Sequence, residues 1–307
     1  YKRQPLSQID RLPIPKIGLQ NEGVKKVFIL MLPAIIAGGV AQINLLIDTV
    51  FASLLITGSP TWLYVSDRLI QFPLGIFAIA IGTVLLPSLS SANQRGDLTL
   101  YKEHLRKSQR LVIFLAIPSV IGLALCSEHL ISTLFQRGEF FYTDVTQASK
   151  SLIAFSFGLP FFMMMKVLVP AFFSRKDTKT PMYAALAALA LNIILNYYFA
   201  FTLGYGHIGL AFASSISALL STGILYTILV KGNYIQLTSP LNRFNLAVIL
   251  GSISVILFLI YGPFNINFNS LSFIDRLITL SLEVAISILL YLLITRAIFG
   301  KKLQELF

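Results

Sequence analysis

Asp67 and Arg68 lie side by side at the mouth of a long apolar run, Leu69 to Leu89, in the segment Ser66-Asp-Arg-Leu-Ile-Gln-Phe-Pro-Leu-Gly-Ile-Phe. An ionised side chain deep in a bilayer costs ~2.5 to 3.5 kcal/mol even on lenient insertion scales, so such groups face a partner or a water-filled cavity. Gln71, Pro73 and Gly75 follow within two turns and give the run a polar, bendable end. Asp48 ends another polar stripe, preceded by Gln42 and Asn44, and residues 44 and 48 share a helix face. Lys166 follows Met163-Met164-Met165 in a further apolar run. Carboxylate, amide, guanidinium and ammonium groups so placed suit the binding of a polar or anionic group through charge-assisted hydrogen bonds.

Each of these residues also has a structural reading. Arg68 snorkelling to phosphates and Asp67 capping a helix would simply mark the interface end of a span. Asp48 would serve in hydrogen bonds between helices, or line one cavity with Arg68 from the adjacent span. Lys166 would pair with a carboxylate or a carbonyl, or line that cavity. Glu283, two turns past Arg276, reads as structural and near the outer interface. Ala184, Ala188, Asn192 and Asn196 recur at four-residue steps, as do Gly209, Ala213, Ser217 and Ser221, and both sets read as packing stripes.

The elements that must position these groups are membrane helices. The sequence is 56% hydrophobic and 12% charged, against about 25% charged in a soluble domain, and its mean hydropathy is +0.78. Stretches near the ~20 residues needed to cross the hydrocarbon fall at about 27–55, 66–90, 110–134, 148–173, 181–203, 207–230, 244–263 and 276–299. Continuous apolar runs of this length exclude a barrel, whose strands alternate in polarity, so the fold class is an all-α integral membrane protein with eight transmembrane helices. Residues 91–109 read as a charged surface helix. Of the 24 lysines and arginines, 19 fall on the side of the membrane that holds both termini, which predicts that side as cytoplasmic. The organisation that follows is a cytoplasmic basic connector at 1–26, a six-helix lobe at 27–230, a cytoplasmic linker with Pro240 at 231–243, and a terminal helix pair with a short tail at 244–307.

Enzyme chemistry has no visible seat. His104, His129 and His207 fall in separate predicted loops without metal-ligand spacing, and neither a nucleophile elbow nor a HExxH motif occurs. Cys126 is a lone cysteine in an apolar stretch, which excludes an internal disulfide and reads as packing. The literal GxGxxG at Gly204-Tyr-Gly206-His-Ile-Gly209 lies in the turn between two membrane helices, where the strand that a dinucleotide site requires is lacking. No cofactor is expected. The net charge of +11 is spread between apolar runs without interleaved aromatics, so nucleic acid is not an expected partner.

The stretch from Ser66 through Gln71, Pro73 and Gly75 to Ser90 closely resembles the corresponding segment of the MurJ (MviN) family of lipid II flippases. So does Lys166-Val-Leu-Val-Pro-Ala-Phe-Phe-Ser-Arg-Lys-Asp-Thr-Lys-Thr-Pro181, and Phe135-Gln-Arg-Gly-Glu-Phe140 fits the family's external loop. The resemblance implies a MOP-superfamily flippase, whose fourteen helices form two six-helix lobes followed by a terminal pair that makes a lipid-tail groove. This chain resembles helices seven to fourteen. Its first residue, Tyr1, accordingly suggests a natural start upstream, and the N-terminal lobe of the same protein becomes an expected partner.

The family's acidic and basic cavity residues match Asp67 and Arg68, which with Asp48, Gln71 and Lys166 make up the expected substrate-binding set. Asp48 matches no fixed acid of the family. The implied substrate is lipid II, the undecaprenyl-pyrophosphate-linked peptidoglycan precursor, carried across the bacterial inner membrane by alternating access, with membrane lipid as the other partner. Two alternatives stand beside it: a superfamily exporter of drugs or other polyprenyl-linked saccharides, and a non-transporting membrane scaffold.

Overall fold

A computed structural model describes residues 22–235, 242–264, 268 and 271–300. The predicted basic connector, the interior of the linker and the tail lie largely outside these residues. The helices are α1 (Glu22–Ser53), α2 (Ser59–Pro73), α3 (Ile79–Gln94), α4 (Leu98–Leu125), α5 (Ser127–Phe135), α6 (Tyr142–Ser156), α7 (Leu159–Phe173), α8 (Lys179–Tyr197), α9 (Gly206–Lys231), α10 (Arg243–Tyr261) and α11 (Phe273–Phe299). Leu74–Ala78 and Tyr198–Thr202 are π-helical. Among the described residues, six helices are long and apolar enough to cross a membrane, and two bent pairs, each counted as one span, raise the number to eight. The all-α membrane architecture expected from hydropathy is the one observed.

The bends are what hydropathy does not report. The second span turns by 41° between Ser59–Phe77 and Ala80–Gln94. Pro73 lacks an N–H and its ring crowds the preceding turn, and the π-helical stretch that follows re-registers the backbone. The fourth span turns by 42° between α6 and α7, where Gly158 precedes a helix with proline in its first turn. A Cβ on Gly158 would stand 2.9 Å from the Ser215 Cα, so the bend is where the fourth span meets α9.

Residues 91–109 are not a separate surface helix. The last turn of α3 ends at Gln94, Asp97 caps α4 by accepting from the Leu100 N–H at 2.9 Å, and residues 98–109 run without a break into the third span. A helix of 28 residues is ~42 Å long at 1.5 Å per residue, longer than the hydrocarbon, so its charged first turns project beyond it. That span closes at Leu125, and residues 127–135 form the separate α5. His104, His129 and His207 are likewise helical, in α4, α5 and α9, not in loops. The GxGxxG segment is the helix–helix turn foreseen: Gly204 and Gly206 have φ of 70° and 56°, and a Cβ on Gly209 would lie 2.8 Å from the Phe199 carbonyl carbon.

The core sits among α2, α3, α4, α6, α7 and α9, with Leu89, Leu105, Leu152, Met163, Leu168 and Leu225 fully buried. α1 packs on α8 at the side of this core and leaves Phe28, Ile35, Leu46 and Val50 exposed, as a lipid-facing helix does. α10 and α11 pack on each other and onto α4 through Phe114, Phe244, Val248, Val255 and Tyr291. The Tyr291 hydroxyl donates to the Phe114 carbonyl at 2.7 Å. Gly251 lets α11 approach, since a Cβ there would meet the Tyr291 ring at 2.9 Å.

A second tie joins α11 to α5. The Glu283 carboxylate, 2% exposed, lies 2.9 Å from His129 Nδ1, whose ring stacks on Phe268. Arg276 donates to Gln136 Oε1 at 2.7 Å. Glu283 therefore has the structural role read for it.

Candidate functional site

The site is built on α2, and three contacts from one end of the bundle fix that helix. Trp62 Nε1 donates to Asp144 Oδ1 at 2.8 Å, and its ring meets His207 edge-on with centroids 4.8 Å apart. One turn on, the buried Ser66 hydroxyl donates to the Ala148 carbonyl at 2.7 Å. A serine in that position lets α2 and α6 approach closely and satisfies a carbonyl inside the membrane. The next residue, Asp67, is thereby held facing inward, where its carboxylate accepts from Gln71 Nε2 at 2.6 Å.

Inward lies a partly open cavity of about 550 Å³ between α1, α2, α7, α8 and α9. Asp48, Asp67, Gln71 and Lys166 all line it, together with Asn44, Tyr64 and the small side chains Ala188, Ser214, Ser217 and Ser221. Two carboxylates and one ammonium thus share a mostly apolar hollow. Among the described residues, Lys107–Glu103 is the ion pair between a lysine or arginine and a carboxylate within 4.0 Å, so neither cavity carboxylate is closed off by Lys166. Charged groups left in that state remain available to a polar guest.

Arg68 does not line the cavity. Successive residues of an α-helix point ~100° apart, so with Asp67 turned inward its neighbour is turned away. The Arg68 guanidinium is exposed and lies over the Tyr64 ring, 4.8 Å from its centre. The expectation that Asp48 and Arg68 line one cavity from adjacent helices is therefore replaced by Asp48 with Asp67. Arg68 stands at the rim, linked to the cavity through Tyr64, which does line it.

Asp48 shows that its two readings are compatible. Oδ1 accepts from Asn196 Nδ2 at 2.6 Å, and Oδ2 accepts from Ser214 Oγ at 3.0 Å and Asn44 Nδ2 at 3.2 Å. Asn196 also donates to Asn192 Oδ1 at 2.8 Å, and Asn192 to Ser214 Oγ at 3.2 Å. The carboxylate therefore binds α1 to α8 and α9 while presenting an edge to the cavity. Asn192, Asn196 and Ser214 were not foreseen as its partners; Asn192 and Asn196 read only as a packing stripe. The signal was present, because two amides one turn apart in an apolar run require an acceptor and Asp48 is a carboxylate in another run.

Lys166 comes from α7, brought beside the second span where that span bends: a Cβ on Gly82 would meet the Lys166 carbonyl oxygen at 3.1 Å. The cavity therefore combines one cation, hydrogen-bonding carboxylates and amides, and apolar walls. Such a surface can hold the polar part of an amphiphile. Among the described residues, no group of three His, Cys, Asp or Glu side chains is placed to hold a metal ion.

Comparison with known proteins places the chain in a family. The family model described as "Lipid II flippase MurJ" matches residues 4–293. A probable lipid II flippase MurJ of Vibrio cholerae is 46% identical over 229 residues, which cover 75% of this chain and 42% of the relative. One of Haemophilus influenzae is 40% identical over 256 residues, covering 81% and 50%. The chain thus spans about half the length of the curated relatives it matches.

Among solved structures, lipid II flippase MurJ in an inward closed conformation aligns with a TM-score of 0.71 at 28% identity, over 96% of this chain and 58% of that one. An outward-facing MATE-family multidrug resistance transporter of the MOP superfamily aligns with a TM-score of 0.61 at 18% identity, over 88% of this chain and 62% of that one, which is a likeness of fold alone. On the family match across nearly its whole length, the chain belongs to the MurJ lipid II flippase family.

Proposed function

We propose that this chain supplies one wall of a flippase cavity that moves lipid II across the bacterial inner membrane. The observation that carries the reading is the cavity of about 550 Å³ lined by Asp48, Asp67, Gln71 and Lys166, in a chain of this family. Lipid II presents a pyrophosphate, sugars and a peptide to the protein and a long hydrocarbon to the bilayer. In this reading Lys166 meets the anionic groups, Asp67 and Gln71 accept and donate to hydroxyls and amides, and Asp48 holds α1 in register with α8 and α9. Arg68 acts at the rim, where its guanidinium fork meets a phosphate or carboxylate as the headgroup enters.

The cavity is completed by the N-terminal lobe of the same protein, and rocking of the two lobes exposes it to each side in turn. Residues 27–230 are the six-helix lobe, 231–243 the linker and 244–307 the terminal pair, and both ends of this segment face the cytoplasm. The bias of lysine and arginine to one side supports that orientation. A drug exporter is the weaker reading, because the likeness to such transporters extends to the fold alone. A scaffold would leave the polar cavity without a use.

The test is complementation of a flippase-depleted strain by the intact protein carrying Lys166→Ala, with protein level in the membrane measured in parallel. The expected outcome is a folded, membrane-inserted protein that fails to support growth and flips lipid II in liposomes at least about tenfold more slowly, as loss of a charge-assisted contact implies. Full complementation with unchanged lipid II translocation would remove Lys166 from the mechanism.

A further inference from the structure

A second pocket, of about 290 Å³, opens at the end of the bundle opposite Trp62, between the first turns of α4 and the residues that follow α9. Thr99, Lys102, Glu103, Arg106 and Gln109 line it and recur at three- and four-residue steps, so they share one face of α4. Tyr234 closes the far side. The Tyr234 ring is held by Tyr101, edge-on at 5.6 Å, and by the Arg175 guanidinium, 4.1 Å from its centre.

The charges here are unevenly satisfied. Glu103 is engaged by Lys107 at 3.0 Å, and among the described residues Lys102 and Arg106 have no carboxylate within 4.0 Å. Gln109 Nε2 is sealed from solvent yet has no acceptor. A buried donor without a partner is disfavoured, and an acceptor brought from outside would relieve it. Two cations and an unpaired amide donor on one helix face form a receptor for an anion with several acceptor oxygens.

We propose that this pocket binds a phosphate group, delivered as the headgroup of an anionic phospholipid. The pocket sits in the first three turns of α4, where that helix projects beyond the hydrocarbon, which is the depth of lipid phosphates. Basic pockets between membrane helices take such headgroups. Lys102 and Arg106 contact the phosphate oxygens, with the guanidinium offering two parallel donors, and rotation of the Gln109 side chain brings its sealed amide to a third oxygen. A lipid held there ties α4 to Tyr234, just after α9. This site is independent of the central cavity and does not rest on its assignment.

The test uses the intact protein, delipidated in detergent and titrated with phosphatidylglycerol, phosphatidylethanolamine or inorganic phosphate, with bound species counted by native mass spectrometry. Phosphatidylglycerol is expected to bind more tightly than phosphatidylethanolamine. The double substitution Lys102→Gln with Arg106→Gln should weaken the tightest phosphatidylglycerol about 25-fold, at about fivefold per cation removed. Gln109→Glu, which places a carboxylate against the phosphate, should weaken it as well.

Arg95→Gln with Lys179→Gln removes the same charge from the same end of the bundle, outside the pocket, and should leave binding within about twofold, because screened surface charges act weakly at a distance. Equal binding of the two lipids, unchanged binding by the pocket variants, or an equal loss in the outside pair would overturn the proposal. Inorganic phosphate binding as tightly as the lipid would overturn the lipid assignment in favour of a free phosphate.

Discussion

Replacing Asp48 by alanine removes the acceptor on which α1, α8 and α9 converge. Three donors lose their partner: Asn196 Nδ2 at 2.6 Å, Ser214 Oγ at 3.0 Å and Asn44 Nδ2 at 3.2 Å. Polar contacts between membrane helices average ~0.6 kcal/mol and reach ~1.7, so the three together are worth ~2 kcal/mol at the average value. The loss does not approach the upper limit, because Asn196 keeps Asn192 and Ser214 keeps the Asn192 amide as second partners. About 2 kcal/mol is close to a 30-fold change in the folding equilibrium.

Reversible unfolding in mixed micelles would measure this, and Trp62, the one tryptophan in the sequence, lies next to the site on α2. Asp48→Asn keeps an oxygen for Asn196 and should cost less than half as much as Asp48→Ala. A cycle pairing Asp48→Ala with Asn196→Ala should show a coupling of ~0.6 to 1.7 kcal/mol. Stability of Asp48→Ala within ~0.3 kcal/mol of the parent, or strictly additive effects in the cycle, would refute the view that this carboxylate holds the lobe together.

Breaking the Glu283–His129 pair by Glu283→Leu or His129→Leu alone should loosen α11 from α5, at a cost of ~3 kcal/mol, whereas the double leucine variant should recover most of it; cysteine cross-linking between the two helices reads the separation, and equal effects of single and double variants would count against the pair. Gly209→Ala forces a Cβ to within 2.8 Å of the Phe199 backbone, an overpacking worth ~1 to 3 kcal/mol. A melting temperature unchanged from the parent would show that the α9 start and the π-helical stretch before it separate freely. Tyr291→Phe removes the hydroxyl that reaches the Phe114 carbonyl at 2.7 Å and should cost no more than ~1.7 kcal/mol, measured by the same unfolding assay; a larger loss would refute the view that this hydroxyl makes an ordinary polar contact between membrane helices.

Much of the fold is legible in the chain because crossing a bilayer is a local, additive property. Each run of about twenty apolar residues declares itself without reference to its neighbours, and lipid leaves its backbone no alternative to a helix. The same locality explains the misreadings. Charge on residues 98–109 suggested a helix lying on the surface, yet those residues form the projecting start of α4, since hydropathy averages cannot distinguish a helix that lies down from one that sticks out. The bends at Pro73 and Gly158 also escaped, because a proline in an apolar run signals a kink but not its angle.

The candidate site divides in the same way. The sequence by itself determined that Asp48, Asp67, Arg68, Gln71 and Lys166 are polar groups held in or beside membrane spans, and through its motifs it pointed to the family. Tertiary structure alone decided which of them meet. It turned Asp67 into the cavity and Arg68 onto Tyr64, closed the Asn192–Asn196 stripe on Asp48, and paired His129 with Glu283 from helices 154 positions apart. The cost of burying a charge belongs to a residue and its solvent and can be read along the chain. The rotation of each helix about its axis, and so the partner of each charge, is set by how the helices pack against one another.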